Sequence, residues 1–187
     1  MKADYIEPEQ LAKLQAQISR REWLPFAVSL ETGLRVGDVI KIRTADLEDQ
    51  AVRYVAQKTK KSGRAALSTE RTRELRAQAR WGWCFPSPYK KGRHITRQAV
   101  WARVKRAAAR AEIDPKGKSP HSARKNFAVD LAAKKGLQAV KEQLQHDRLD
   151  ITELYALADW TSGENANKPL LRKDLGILLE KLLALIK

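Results

Sequence analysis

The stretch SPHSARKNFAVDLAAKKG, residues Ser119–Gly136, decides how the second half of the chain is read. A helix reads as starting just after Pro120 and ending at Gly136, the order in which a helix starts and stops. Phe127, Val129 and Leu131 give that helix an apolar surface. Its first turn carries something else. His121 and Arg124 are three residues apart, so they lie near one another at the helix N-terminus. Alone the pair says little, because charged side chains at helix starts are usually solvated. Its weight depends on the rest of the chain.

Composition limits the partners. The 187 residues suit one domain with an appendage, and 43% hydrophobic content is enough for a core. Lys and Arg number 37 against 22 Asp and Glu, a formal net charge of +15. A surplus of that size points to a polyanion, nucleic acid first and a membrane surface second, with ribosomal or chaperone-like roles as bland alternatives. No apolar run approaches the roughly 18 residues that span a bilayer. The start, MKADYIEPEQ, lacks the apolar core of a signal peptide. The single cysteine, Cys84, excludes an internal disulfide and fits a reducing cytosol. One cysteine and three scattered histidines argue against a structural zinc site.

The rest of the chain reads as mainly helix with one small antiparallel β-hairpin. A helix is expected from about Pro8 to Arg20, continuing through EWLPFAVSLETG to Gly33. LRVGDVIKI is a short helix with Val36, Val39 and Ile40 inside. AVRYVAQ and RAALS alternate as strands around the turn KTKKSG. TERTRELRAQAR is a charged surface helix, and WGWCFPSP is extended. Thr96 caps the helix RQAVWARVKRAAARAE. Beyond Gly136, LQAVKEQLQ is a shorter helix, and Asp150 caps ITELYALAD with Glu153 in a capping-box position. A linker, TSGENANKP, leads into the apolar helix LLRKDLGILLEKLLALIK.

Four further features complete the pattern. TGLRVGDV places Arg35 at a helix start, Lys58 and Thr59 occupy the hairpin turn, and His146 precedes Tyr155 by nine residues. In this order, Arg35, Lys58-Thr59, His121-x-x-Arg124, His146 and Tyr155 resemble the tyrosine recombinase, or phage integrase, family. The match runs from about Ile6 to Asp159, the catalytic domain of that family. Two positions depart from the family pattern: Gln145 replaces the usual Gly before the second His, and Asn126 stands where Thr is frequent. An N-terminal DNA-binding domain usually precedes the catalytic one. Here the residues before Arg35 read as the catalytic domain's own first helices, so that domain is expected to be absent from this sequence, which is then either a fragment or a minimal form that needs help to grip DNA. The expected division is a catalytic domain over 1–160 and a linker with apolar helix over 161–187.

The resemblance implies a site-specific DNA recombinase needing neither metal nor ATP. Tyr155 would attack a phosphodiester, form a 3′-phosphotyrosyl link and release a 5′-hydroxyl. Arg35 and Arg124 would hold the non-bridging oxygens, since planar guanidinium forks bind phosphate bidentately. Lys58 would protonate the leaving 5′-oxygen, His121 would accept the tyrosine proton, and His146 would hydrogen-bond the phosphate. No cofactor is implied. The remaining cations are candidate contacts to double-stranded DNA: Lys60, Lys61, Arg64, Arg93, Arg97, Arg103, Lys105 and Lys125. Of these, Arg97, Arg103 and Lys105 share a helix that could cross the major groove. His94 matches no motif.

Other readings stay open. A topoisomerase-like or telomere-resolving relative would use the same chemistry. A non-catalytic DNA-binding module would have no use for Tyr155, and a basic RNA-binding helical protein would show no duplex preference. The apolar tail must be buried somewhere. In the resembled family it often docks on a neighbouring protomer, giving a homo-tetramer on DNA; folding back on its own domain is the other solution. Mass in solution with and without residues 168–187 separates the two. Exchange requires a larger species that the truncation returns to monomer, and a monomer in both cases argues against it.

Overall fold

The computed structural model describes residues 3–57 and 59–143. Lys58, Gln145, His146, Tyr155 and the 161–187 tail lie outside the described residues. The chain divides into two compact units, Met1–Arg124 and Lys125–Lys187. Mainly helical architecture with a small antiparallel sheet agrees with the sequence.

Helix α1 covers Pro8–Ala16 and α2 covers Arg20–Thr32. The sequence suggests a helix running on to Arg20, but the chain breaks at Gln17–Ser19. Ser19 is extended, and its hydroxyl accepts from the Glu22 N–H at 3.3 Å, so it caps α2 rather than continuing α1. Such a cap is worth about 1 kcal/mol. Pro25 sits inside α2 without ending it. Helix α3 is a single turn, Val36–Val39.

Three strands follow: β1 Leu47–Glu48, β2 Ala51–Val55 and β3 Ser62–Ala66, paired antiparallel in that order. The expected hairpin is β2–β3. The two-residue β1 is too short for alternation to reveal. Val52 faces Ala65 and Tyr54 faces Gly63 across the ladder. Helix α4, Thr69–Gln78, is capped by Ser68. The WGWCFPSP segment is not simply extended. Trp81 and Gly82 both have positive φ, 54° and 77°, in a tight turn closed by reciprocal Arg80–Trp83 backbone bonds of 3.1 and 3.0 Å.

Helix α5 spans Arg97–Arg110, with the Thr96 hydroxyl accepting from the Ala99 N–H at 3.1 Å. Helix α6 runs Pro120–Gln143, straight through Gly136. The stop expected there fails because Leu137–Gln143 propagates a helix well enough to absorb the ~1 kcal/mol cost of an internal glycine.

Two apolar clusters fill the first unit, and α2 and α5 wall both. Leu24 and Val28 of α2 and Val100 of α5 meet Val39, Ile42, Val52, Leu67, Leu75 and Phe85. The other faces of the same helices, Trp23, Phe26, Val104, Ala107 and Ala108, meet Ile6, Leu14 and Ala123. Trp23 and Phe26 stack at 4.5 Å. An ion pair from Arg103 Nε to Glu22 at 3.3 Å closes the α2–α5 seam. Cys84 is fully buried in the first cluster, and burial pushes its thiol up to about 12. Native protein at pH 8 should therefore resist thiol reagents, since little thiolate forms. Labelling followed along a urea series should rise with the unfolding transition; fast labelling of the native chain would contradict this core.

Candidate active site

The site grows from the turn between α2 and α3. Gly33 ends α2 at φ 70°, a left-handed conformation that glycine enters without steric cost, and its N–H bonds Ser29 O at 3.0 Å. Two buried hydroxyls fix the turn. Ser29 Oγ donates to Leu34 O at 2.6 Å, and Thr32 Oγ1 donates to Val28 O at 2.6 Å while accepting from the Leu34 N–H at 3.2 Å. Arg35 comes next, extended, as the residue leading into α3, with its side chain half-buried. The TGL of TGLR is thus the fastening of a turn, and the Arg is what the turn presents.

Arg124 arrives from the far end of the sequence. The residue is 6% exposed, and its Nη1 donates to Gly33 O at 2.5 Å. The arginine of the H-x-x-R pair is therefore tied to the carbonyl two residues before Arg35. Both arginines also act on the same phenol. Tyr54 of β2 is half-buried, and burial raises its pKa above the ordinary tyrosine value; Arg124 opposes the rise, Asp38 adds to it and Arg35 opposes it. Two guanidiniums, a carboxylate and a phenol thus share one electrostatic neighbourhood.

His121 stands exposed in the first turn of α6, while Ser122 and Ala123 beside it are buried. The turn is anchored by Ser122, whose Oγ donates to Gly117 O at 3.2 Å and accepts from the Ser119 N–H at 3.2 Å. Burying Ser122 and Ala123 leaves the imidazole outward, one helical turn from the buried Arg124.

Two residues that the sequence reading passed over join the group. Asp38, 7% exposed, accepts the Gln57 N–H at 3.0 Å. The Gln57 side chain donates to Gly37 O. Gln57 immediately precedes Lys58 in the chain, so α3 grips the hairpin just before that lysine. A Cβ on Gly37 would meet Gln57 Nε2 at an ordinary 3.5 Å but would press on Arg97 Cδ at 3.1 Å, so the glycine makes room for the arginine stem. A lone carboxylate inside the apolar run LRVGDVIKI was the available signal for Asp38. Nothing in the local pattern pointed to Gln57.

The other candidate cations scatter. Arg97 lies over Gly37 at the start of α5, beside Gln57. Lys60 and Lys61 are exposed in the hairpin turn, Lys60 at φ 60°. Arg93 is exposed in the loop before α5. Arg64 is engaged with Glu48 at 2.5 Å on the sheet. Arg103 faces α2: its side chain is 18% exposed beside Glu22, and desolvation lowers its pKa. That places it in the packing seam rather than on the outer face of α5. Lys105 bonds Pro115 O and sits 5.3 Å from the exposed Trp101 ring. Lys125 is half-buried and belongs to the second unit. Among the described residues no group of three or more His, Cys, Asp or Glu could hold a metal ion.

Known proteins resemble this chain in sequence and in fold. The sequence model of the phage integrase family matches residues 4–160. The tyrosine recombinase XerD of Rhizobium meliloti (strain 1021) is 33% identical over 134 residues, 66% of this chain and 43% of that protein. The chain spans about half the length of the curated relatives it matches. Among solved structures, the catalytic domain of bacteriophage HP1 integrase superposes with a TM-score of 0.63 at 22% identity, covering 90% of this chain and 99% of that one. XerH site-specific recombinase, in a post-cleavage complex with its palindromic difH substrate, gives 0.69 at 19% identity, covering 90% and 54%. A family match over residues 4–160, most of the sequence, makes the chain a member of the phage integrase family.

Proposed function

We propose that this chain is the catalytic part of a site-specific DNA recombinase acting on double-stranded DNA. The observation that carries the reading is the bond from Arg124 to Gly33 O, which brings the second arginine to the turn presenting the first. Two guanidinium forks brought to one turn suit the two non-bridging oxygens of one phosphodiester. They act where negative charge builds up in the transition state. The chain's +15 charge supplies a polyanion-seeking surface around them.

In this mechanism the Tyr155 oxygen attacks phosphorus and the P–O5′ bond breaks. The phenol proton passes to His121, and Lys58 protonates the departing 5′-oxygen. His146 hydrogen-bonds the phosphate. The 3′-phosphotyrosyl ester conserves the bond, so attack by a 5′-hydroxyl of another strand rejoins DNA without an energy source. Asp38 acts by positioning: through Gln57 it holds the hairpin at the residue before Lys58. Assembly of several copies on DNA through residues 168–187, and action at the nucleoid, belong to the same proposal. No helix among the described residues is long and apolar enough to cross a membrane.

A duplex nicked so that the released fragment diffuses away should trap a covalent protein–DNA adduct. The adduct should vanish in Tyr155→Phe with duplex affinity preserved. Duplex binding with no adduct from the unmodified chain on any cognate site would instead favour a binding module. Asp38→Ala should slow adduct formation by at least tenfold while changing duplex affinity less than threefold, the order expected when a buried tether is lost. An unchanged rate would remove Asp38 from the mechanism.

A further inference from the structure

Beside the arginine pair lies a recess to which the cleavage scheme gives no task. It is a cleft of about 610 Å³ between the Lys41–Asp46 segment, the β2–β3 strands and Trp83. Asp38, Tyr54 and Gln57 line it too, so it shares a wall with the candidate active site. One of its cations is Arg43, whose guanidinium carbon sits 4.0 Å from the centroid of the Trp83 ring.

The indole is itself fixed. Its N–H donates to Gly92 O at 3.0 Å, and its backbone pairs with Arg43 and Arg80. His94 meets it edge-on, with centroids 5.0 Å apart at 72°. A rigid ring under a guanidinium removes much of the rotamer freedom an exposed arginine would lose on binding. With the indole face covered by Arg43, a base stacking there is shut out and the open approach is to N–H edges.

Lys41, Arg43, Arg53 and Lys60 line the cleft against two carboxylates, Asp38 and Asp46, which leaves it net positive. Asp38 accepts from the Gln57 N–H and Asp46 from the Arg43 N–H at 2.8 Å. Arg53 is occupied by Ala45 O at 2.6 Å and Glu48 at 3.4 Å. Lys41 and Lys60 also line the cleft, and neither has an ion-pair partner among the described residues.

We propose that this cleft binds a backbone phosphate of the DNA strand, distinct from the one held by Arg35 and Arg124, with Arg43 as the principal contact and Lys41 and Lys60 in support. The proposal rests on the DNA reading above. It gives Trp83 and His94 a task as the platform that aims Arg43.

The test is duplex binding by the full chain, followed by fluorescence anisotropy from about 50 to 200 mM salt. Arg43→Ala should weaken binding about tenfold and reduce the log–log salt slope by about 0.9, the loss of one phosphate contact. Arg43→Lys should restore the slope but not the affinity, because the charge returns without the stack. Trp83→Phe should weaken binding with the slope unchanged. Lys13→Ala, an exposed cation of α1, should change neither. Equal losses in Arg43→Ala and Lys13→Ala, or no loss in Arg43→Ala, would overturn the proposal. Displacement of DNA by millimolar inorganic phosphate at fixed ionic strength, abolished in Arg43→Ala, would make this a small-anion site and overturn it as well. Adduct formation is read separately. A chain that forms the adduct with an indifferent Arg43 loses only this proposal, whereas one showing the Arg43 slope change without an adduct loses only the recombinase reading.

Discussion

One hydrogen bond, Arg124 to the Gly33 carbonyl, sets what this molecule can do. An arginine that is 6% exposed cannot be left without partners, because an unpaired buried charge costs several kcal/mol. The fold answers with a carbonyl released by the left-handed end of α2. The same αL turn that ends the helix frees that oxygen and swings Arg35 into place. Ser29 and Thr32 then hold the turn against relaxation through two bonds of 2.6 Å. Loss of either hydroxyl would reach the arginines through the backbone, without touching them.

Around this centre the parts divide by rigidity. Helices α2 and α5 each contribute one face to each of two cores, so the α2–α3 turn and the start of α5 move together if at all. The hairpin is held differently: its sheet pairing is short, and its far end is steadied by Asp38 and the Gln57 side chain on α3. A general acid on such a hairpin would have its approach set by polar tethers, which are easier to adjust than a packed core. The Arg43–Trp83 stack lines one cleft with Asp38 and Gln57, so a strand held there and a lysine delivered by the hairpin would share a wall.

Much of this was legible in the residues. Pro120 at a helix start, Thr96 as a cap and Val52–Tyr54 alternation each use one local rule, and each element stands where that rule puts it. Boundaries failed where two rules competed. Ser19 capped a new helix although the helical pattern ran on through it, and Gly136 was outvoted by the helix formers around it. Arg103 looked like its neighbours on α5 and turned out to face Glu22, because helical position alone does not say which basic residue borders a packed seam. The matched order of Arg35 and Arg124 suggested that they share a site, while the contact observed runs from Arg124 to a backbone atom: no side-chain pattern announces that a glycine carbonyl will receive a guanidinium. Asp38 and Gln57 stayed hidden for the same reason, since one of their two bonds uses a backbone N–H and the other a backbone oxygen.

The central claim is that Arg35 and Arg124 serve one phosphate. A double-mutant cycle on the rate of phosphotyrosyl formation, with Arg35→Lys, Arg124→Lys and the pair, tests it most directly, lysine keeping the charge while losing the fork. Each single change should slow the step by about 100-fold or more, and the double should fall within about tenfold of the slower single, as groups acting as a unit do. Full multiplication of the two losses would mean that the arginines act at separate places, and the shared site would have to be abandoned.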